Sequence, residues 1–195
     1  MHLAIARQAL AQLGLSQIHW IVSGFAPHKP CIASPADRLA MVQCVLAQEN
    51  DPRMIVNDFE VKASTQGEPN YAIDTLRELR AAHPDDRLVL IIGGDQANHF
   101  ESWKDWQSIL GIADLAVVGR PRFDTSVLTA KCESFGARLT QLEIATDTIS
   151  ATNIRAAFCA AEVSPEGISE SVALYVRKNG LYEPKTRSVN PEPKP

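Results

Sequence analysis

Leu88-Val89-Leu90-Ile91-Ile92-Gly93-Gly94 is an unbroken run of branched apolar side chains closed by two glycines. A run without polar alternation predicts a strand covered on both faces, the usual state of a strand in a parallel sheet packed by helices. Leu115-Ala116-Val117-Val118, followed by Gly119-Arg120-Pro121, repeats the pattern. Working outward, further strands are predicted over residues 19–23, 54–61 and 139–144. Leu3, Ala6, Leu10 and Leu13 recur at helical spacing before Gly14, so a helix begins almost at residue 1. Ser34-Pro35-Ala36-Asp37 has the residue types of a helix start, and Leu39, Val42 and Leu46 continue its apolar face. Ile73, Leu76 and Leu79 mark a helix ending near His83. A short helix from Trp106 is expected to stop at Gly111, and another over 127–135 at Gly136. Ser150 is placed to cap a helix reaching about 160, and a last helix spans 166–179 before Gly180. Strands that alternate with helices make an α/β fold with a mostly parallel sheet. One domain is expected over residues 1–182, with a Pro-rich, polar, disordered tail over 183–195.

The 195 residues are 45% hydrophobic, enough for a real core, and carry a formal net charge of −4. That balance argues against a nucleic-acid partner, which needs a basic surface. No apolar run approaches the roughly 20 residues of a membrane span, so no membrane partner is expected. Cys31, Cys44, Cys132 and Cys159 form no CxxC pair and no zinc spacing. Scattered single cysteines read as small apolar fillers in a reducing compartment, with the cytoplasm as default. Oligomeric state is not legible.

Ligands of an open parallel sheet bind beyond the carboxyl ends of its strands. The rule selects four loops: residues 24–30, 93–95, 119–122 and 146–152. Ile149-Ser150-Ala151-Thr152-Asn153-Ile154-Arg155 is the sharpest segment near them. A Ser-capped helix start offers free amides to an anion, and Arg presents a planar fork to phosphate oxygens. On pattern alone the segment reads first as an ordinary capped helix with a solvated Arg.

Ile149-Ser150-x-Thr152-x-x-Arg155 resembles the ISxTxxR signature of the nucleotidyltransferase superfamily. Within it, the bacterial nicotinate-nucleotide adenylyltransferases are resembled by Ala26-Pro27-His28-Lys29-Pro30, Asp37-Arg38-Leu39-Ala40-Met41 and Asn70-Tyr71-Ala72-Ile73-Asp74-Thr75-Leu76. Ile91-Ile92-Gly93-Gly94-Asp95, Phe100-Glu101-Ser102-Trp103 and Gly180-Leu181-Tyr182 follow in the same order and spacing. The resemblance covers nearly everything from His2 to Tyr182. It implies a Rossmann-like nucleotidyltransferase fold and adenylyl transfer from ATP to nicotinate mononucleotide, giving deamido-NAD and pyrophosphate. Magnesium would arrive with ATP rather than in a dedicated protein site.

Two departures stand out. The family begins with a strand and a GGTFDPxHxGH loop, whereas this chain starts Met1-His2-Leu3, so that His2 resembles the second His of the motif. Ala72 stands where the family usually has Thr. By the resemblance, His2, Ser150, Thr152 and Arg155 contact ATP phosphates, with His2, Ser150 and Arg155 catalytic. Gly93 and Arg120 line the ATP side. His28, Lys29, Tyr71, Asp95 and Trp103 form the mononucleotide side, where Trp103 can stack on an electron-poor ring. Asp95 is also expected to cap the short helix after it. Trp106, Phe59 and Phe100 read as core. In the family's sheet the first strand lies between the strands that here hold Trp20-Ile21-Val22 and Leu90-Ile91-Ile92. Residues 1–195 alone are therefore expected to expose two strand edges, to be marginally stable and to be inactive. The competing readings are a sister adenylyltransferase acting on another nucleotide and a non-catalytic nucleotide-binding remnant.

Overall fold

The computed structural model describes residues 1–25, 33–65, 67, 69–119, 124–144, 151–160 and 165–182. These fall in two compact units, Met1–Asp147 and Thr148–Pro195.

The first unit opens on helix α1 (His2–Gln12), which ends before Gly14 at φ +60°. Strand β1 (Ile18–Ile21) follows, then helix α2 (Pro35–Glu49). The Ser34 hydroxyl accepts the Asp37 amide and donates to the Asp37 carboxylate at 2.6 Å, so the expected helix start forms as a reciprocal cap. Strand β2 (Met54–Asn57) pairs parallel with β1, Trp20 opposite Val56.

The predicted strand over 54–61 breaks there. Asn57 Oδ1 takes the Phe59 amide, and residues Phe59–Ser64 form helix α3 with an Asp58–Lys62 ion pair along it. The β-branched content of the segment is real, but the side chain of Asn57 satisfies the backbone locally and turns the chain. Phe59 is half-buried rather than at the centre of a core.

Helix α4 (Ala72–Ala82) leads to β3 (Leu88–Gly93) and the four-residue α5 (Gly94–Ala97). A 3-10 turn over Phe100–Ser102 precedes helix α6 (Trp106–Ile112), which runs through Gly111 instead of stopping at it. The helix hands directly to β4 (Ala113–Val118), and Arg80 of α4 holds the Ile112 carbonyl at 3.0 Å. Helix α7 (Ser126–Ser134) and β5 (Leu139–Leu142) complete the unit. Strands β3, β4 and β5 form a parallel sheet in that order, with Leu90 opposite Leu115 and Val117 opposite Gln141.

Among the described residues β1–β2 and β3–β4–β5 are separate sheets. A cavity of about 720 Å³ lies between them, lined by residues 18–22 and 88–91 and flanked by His2, Ile5 and Ala6 of α1. This gap explains a departure in β3. The run that reads as doubly covered is half-buried along residues 88–91, and only Ile92 is fully buried. In β4, with a strand on either side, Leu115, Ala116 and Val117 are all 0% exposed. Burial thus follows a strand's neighbours as much as its composition.

Phe100, Ile109, Leu115 and Val117 centre the main core, against which Trp106 packs. Asp114 is tied from two sides: Arg87 Nε donates to Oδ2 at 2.6 Å and the Arg138 amide to Oδ1 at 2.7 Å. Burial alone pushes this carboxyl up, but the Arg138 amide and the Arg87 guanidinium outweigh it and hold it below its ordinary value. A depressed carboxylate adds stability above its unfolded pKa and loses it as pH falls through the folded one. Asp114→Asn is expected to cost about 1–2 kcal/mol at pH 7. In urea melts that deficit holds down to the ordinary aspartate value of 3.8 and shrinks below it. An unchanged deficit at lower pH contradicts the assignment.

The second unit holds α8 (Ala151–Cys159) and α9 (Glu170–Lys178). Helix α9 starts four residues later than the sequence suggests, because Gly167 sits at φ +84° and Ser169 is extended. Phe158 stacks with Tyr182 at 6.4 Å, and Cys159 Sγ donates to the Tyr182 carbonyl. Cys44 is half-buried, Cys132 buried and Cys159 exposed, all as free thiols, so only Cys132 fully meets the expected filler role. The tail over 183–195 lies outside the described residues, as does Cys31.

Candidate active site

Helix α4 begins on Tyr71, whose extended backbone takes the N-cap position without a side-chain cap. Its carbonyl accepts the Asp74 amide and closes the first turn. That geometry turns the Tyr71 ring onto the main core. The Lys104 ammonium stands 4.2 Å over the ring, steered by Asp74 at 3.3 Å. A cation over an aromatic face is an attractive pair, and here it brings positive charge to the edge of the site. Lys104 follows Trp103 in the chain, and only the tertiary pairing with Tyr71 reveals it.

Trp103 ends the 3-10 turn, half-buried, with its ring 5.5 Å from Phe100. Tyr71 and Trp103 therefore share one apolar support. Gly93 ends β3 and occupies the N-cap position of α5, so Asp95 lies inside the first turn and does not cap it. The extended backbone needed at a cap falls on Gly93, one residue after Ile92. An added Cβ at Gly93 would meet nothing within 4 Å, which leaves open space over the carboxyl end of β3. Asp95 is exposed beside it.

His2 is the first residue of α1, exposed, in the wall of the cavity between the two sheets. Helix α8 begins at Ala151, so Thr152 and Arg155 lie one turn apart. Arg155 donates to the Thr152 hydroxyl at 3.2 Å. These two residues belong to the second unit, and Tyr71, Gly93, Asp95 and Trp103 to the first. His28, Lys29, Arg120 and Ser150 lie outside the described residues.

Behind the loop that leaves β1 is a network that sequence reasoning missed. Arg38 of α2 donates to the carbonyls of Ser23, Gly24 (2.8 Å) and Ala33 (2.6 Å). Asn70 accepts the Phe25 amide at 2.7 Å and returns its own amide to the Phe25 carbonyl at 3.1 Å. Glu60 accepts the Thr75 hydroxyl at 2.8 Å, and Thr75 is 5% exposed. Burial pushes the Glu60 carboxyl up, partly offset by the bonds from Thr75 and from the Gly24 amide. Gly24 has no room for a side chain: a Cβ would lie 2.0 Å from the Glu60 carbonyl and 2.3 Å from Asn70 Oδ1. Gly24→Ala is expected to cost about 1–3 kcal/mol in a denaturant melt, the scale of an overpacked site. Wild-type stability in that variant would show that the loop base yields freely.

The cytidylyltransferase-like family profile matches residues 1–157. The chain is 35% identical over 190 residues to the "Probable nicotinate-nucleotide adenylyltransferase" of Albidiferax ferrireducens, covering 93% of this chain and 90% of that one. The same-named protein of Bordetella petrii is 34% identical, with 93% and 91% covered. In fold, the chain is similar to the Plasmodium falciparum nicotinic acid mononucleotide adenylyltransferase complexed with NaAD. The TM-score is 0.69 at 15% identity, over 93% of this chain and 89% of that one. The fold, its order of elements and identity above 30% along most of the sequence agree: the chain belongs to the nicotinate-nucleotide adenylyltransferase family of cytidylyltransferase-like proteins.

Proposed function

We propose that the chain carries adenylyl transfer from ATP to nicotinate mononucleotide; the relatives it resembles are named nicotinate-nucleotide adenylyltransferases. The observation that carries the reading is the pairing of Tyr71 and Trp103 on one apolar core, which takes in Ile92, the residue before the open carboxyl end of β3 at Gly93. Trp103 offers a stacking face to the pyridine ring, and Tyr71 with Lys104 closes a side. His28, Lys29 and Asp95 complete the mononucleotide side in this proposal, and His2, Gly93, Arg120, Ser150, Thr152 and Arg155 the ATP side.

In the reaction a 5′-phosphate oxygen of the mononucleotide bonds to the α-phosphorus of ATP. The bond from that phosphorus to the β-phosphate bridge oxygen breaks, and pyrophosphate leaves with the electron pair. The attacking oxygen is already anionic, so no side chain need act as nucleophile or base. The protein's part is to align two anions and to neutralise charge as it grows on the α-phosphate. A guanidinium suits that task because its fork can hold two oxygens at once. Among the described residues no group of three or more His, Cys, Asp or Glu is placed to hold a metal ion. The proposal leaves Mg²⁺ to the triphosphate oxygens. No helix among the described residues is long and apolar enough to cross a membrane, and the free thiols fit a reducing cytoplasm.

The test follows pyridine dinucleotide formation from ATP and either mononucleotide, on the chain and on a form carrying a GGTFDPxHxG-type strand and loop ahead of His2. Deamido-NAD is the expected product, with nicotinamide mononucleotide a poor substrate. Faster turnover of the amide overturns the substrate assignment.

A further inference from the structure

We infer that Asn70, Glu60 and Arg38 are positioning residues for the mononucleotide side, because they fix the base of the loop after β1 to the start of α4, where Tyr71 stands. The inference rests on the proposed substrate. Three elements converge on three consecutive residues. Asn70 clamps Phe25 through both its amide and its carbonyl. Glu60 of α3 takes the Gly24 amide. Arg38 of α2 reaches Ser23 and Gly24 on one side and Ala33 on the other. The chain that leaves at Phe25 and returns at Ala33 is therefore gripped at both ends by one guanidinium.

The grip is specific in kind. A planar guanidinium can donate to three carbonyls in different directions, which an ammonium on a flexible stem cannot reproduce in one geometry. Asn70 immediately precedes Tyr71, so a shift of the loop base is passed directly to the residue that sets the Tyr71 ring. Gly24 is closed on three sides, by Glu60, Ser64 and Asn70, and leaves the loop base one way to sit. The bonds of this bracket come from Arg38, Glu60 and Asn70, and Asn70 is joined directly to Tyr71. A perturbation there should register on the mononucleotide and spare ATP.

The experiment compares wild type, Asn70→Ala and Glu60→Gln, with nicotinate mononucleotide and ATP titrated separately by calorimetry. Amide hydrogen exchange is read on peptides covering residues 22–25. Asn70→Ala is expected to speed exchange there and to weaken mononucleotide binding, each roughly tenfold, the scale of one lost hydrogen bond. ATP affinity stays within about twofold on the same scale. Glu60→Gln keeps one acceptor oxygen and sets an NH2 donor where the carboxylate had its second, so both readouts shift in the same direction as in Asn70→Ala by a smaller factor, with ATP spared. If Asn70→Ala does not fold, Arg38→Lys is read in the same way. Unchanged exchange, equal weakening of both nucleotides, or fast exchange with full mononucleotide affinity each overturns the inference. A wild-type chain that binds ATP but no nicotinate mononucleotide overturns the functional reading instead.

Discussion

Replacing Arg155 with Ala is expected to lower adenylyl transfer by about 100-fold or more, the scale of losing one transition-state charge donor. The residue stands on the first turns of α8, half-exposed, with its guanidinium on the Thr152 hydroxyl. It fills no core position, being itself only partly buried, whereas Phe158 is the side chain that α8 buries among the described residues. The loss should therefore appear in turnover while the melting temperature stays put. A Lys in its place keeps the charge but loses the fork, and is expected to recover only part of the rate. The readout is single-turnover formation of dinucleotide by the form carrying the added strand and loop. Near-full activity in Arg155→Ala removes the phosphate role. A parallel fall in melting temperature makes the effect structural. Thr152→Ala separates the two partners: if Thr152 serves mainly to orient Arg155, its loss costs less than that of Arg155 itself.

Much of this layout was legible in the residues, for reasons that differ by element. The α2 start was readable because capping is a local bargain among Ser34, Pro35 and Asp37, and it formed as expected. β4 was readable because its composition matches its burial. β3 has the same composition but lines a cavity, and no local pattern states which neighbour a strand has. The strand over 54–61 failed at one side chain, Asn57, whose turn competes with continued pairing. Gly111 did not stop α6, because its helix end is held by Arg80 from thirty-two residues away. Tyr71 and Trp103 were named through resemblance, and the structure places both on one support. The Arg38–Glu60–Asn70 network was invisible, since each of its bonds to the loop spans 5 to 45 residues. The one local hint was Gly24, a glycine at the end of a strand with no turn type that calls for it.

Supplying a strand to the cavity between β1 and β3 is expected to stabilise the protein by about 3 kcal/mol. Residues 18–22 and 88–91 line that space, and among the described residues β1 and β3 each pair on one side only. An inserted segment of about four apolar residues would gain roughly 1.5–3 kcal/mol per buried side chain. Ordering its backbone costs roughly 1–2 kcal/mol per residue, which leaves the smaller net figure. For a chain of this size that is a rise of about 10 °C in melting temperature. It is also a large share of a typical net stability of roughly 5–15 kcal/mol. His2 lies in the cavity wall, so a segment fused ahead of Met1 enters the gap without a long connection. Two forms test the idea: one extended by a Val/Ile-rich strand and a Gly-containing loop, and the same form with Asp at the centre of the added strand. The apolar strand should raise the melting temperature and slow amide exchange along residues 18–21 and 88–92. The Asp form should lose most of the gain, because an unpaired carboxylate cannot be buried cheaply. Equal melting temperatures for the chain and its apolar extension would mean that the edges of β1 and β3 are already satisfied by some other contact.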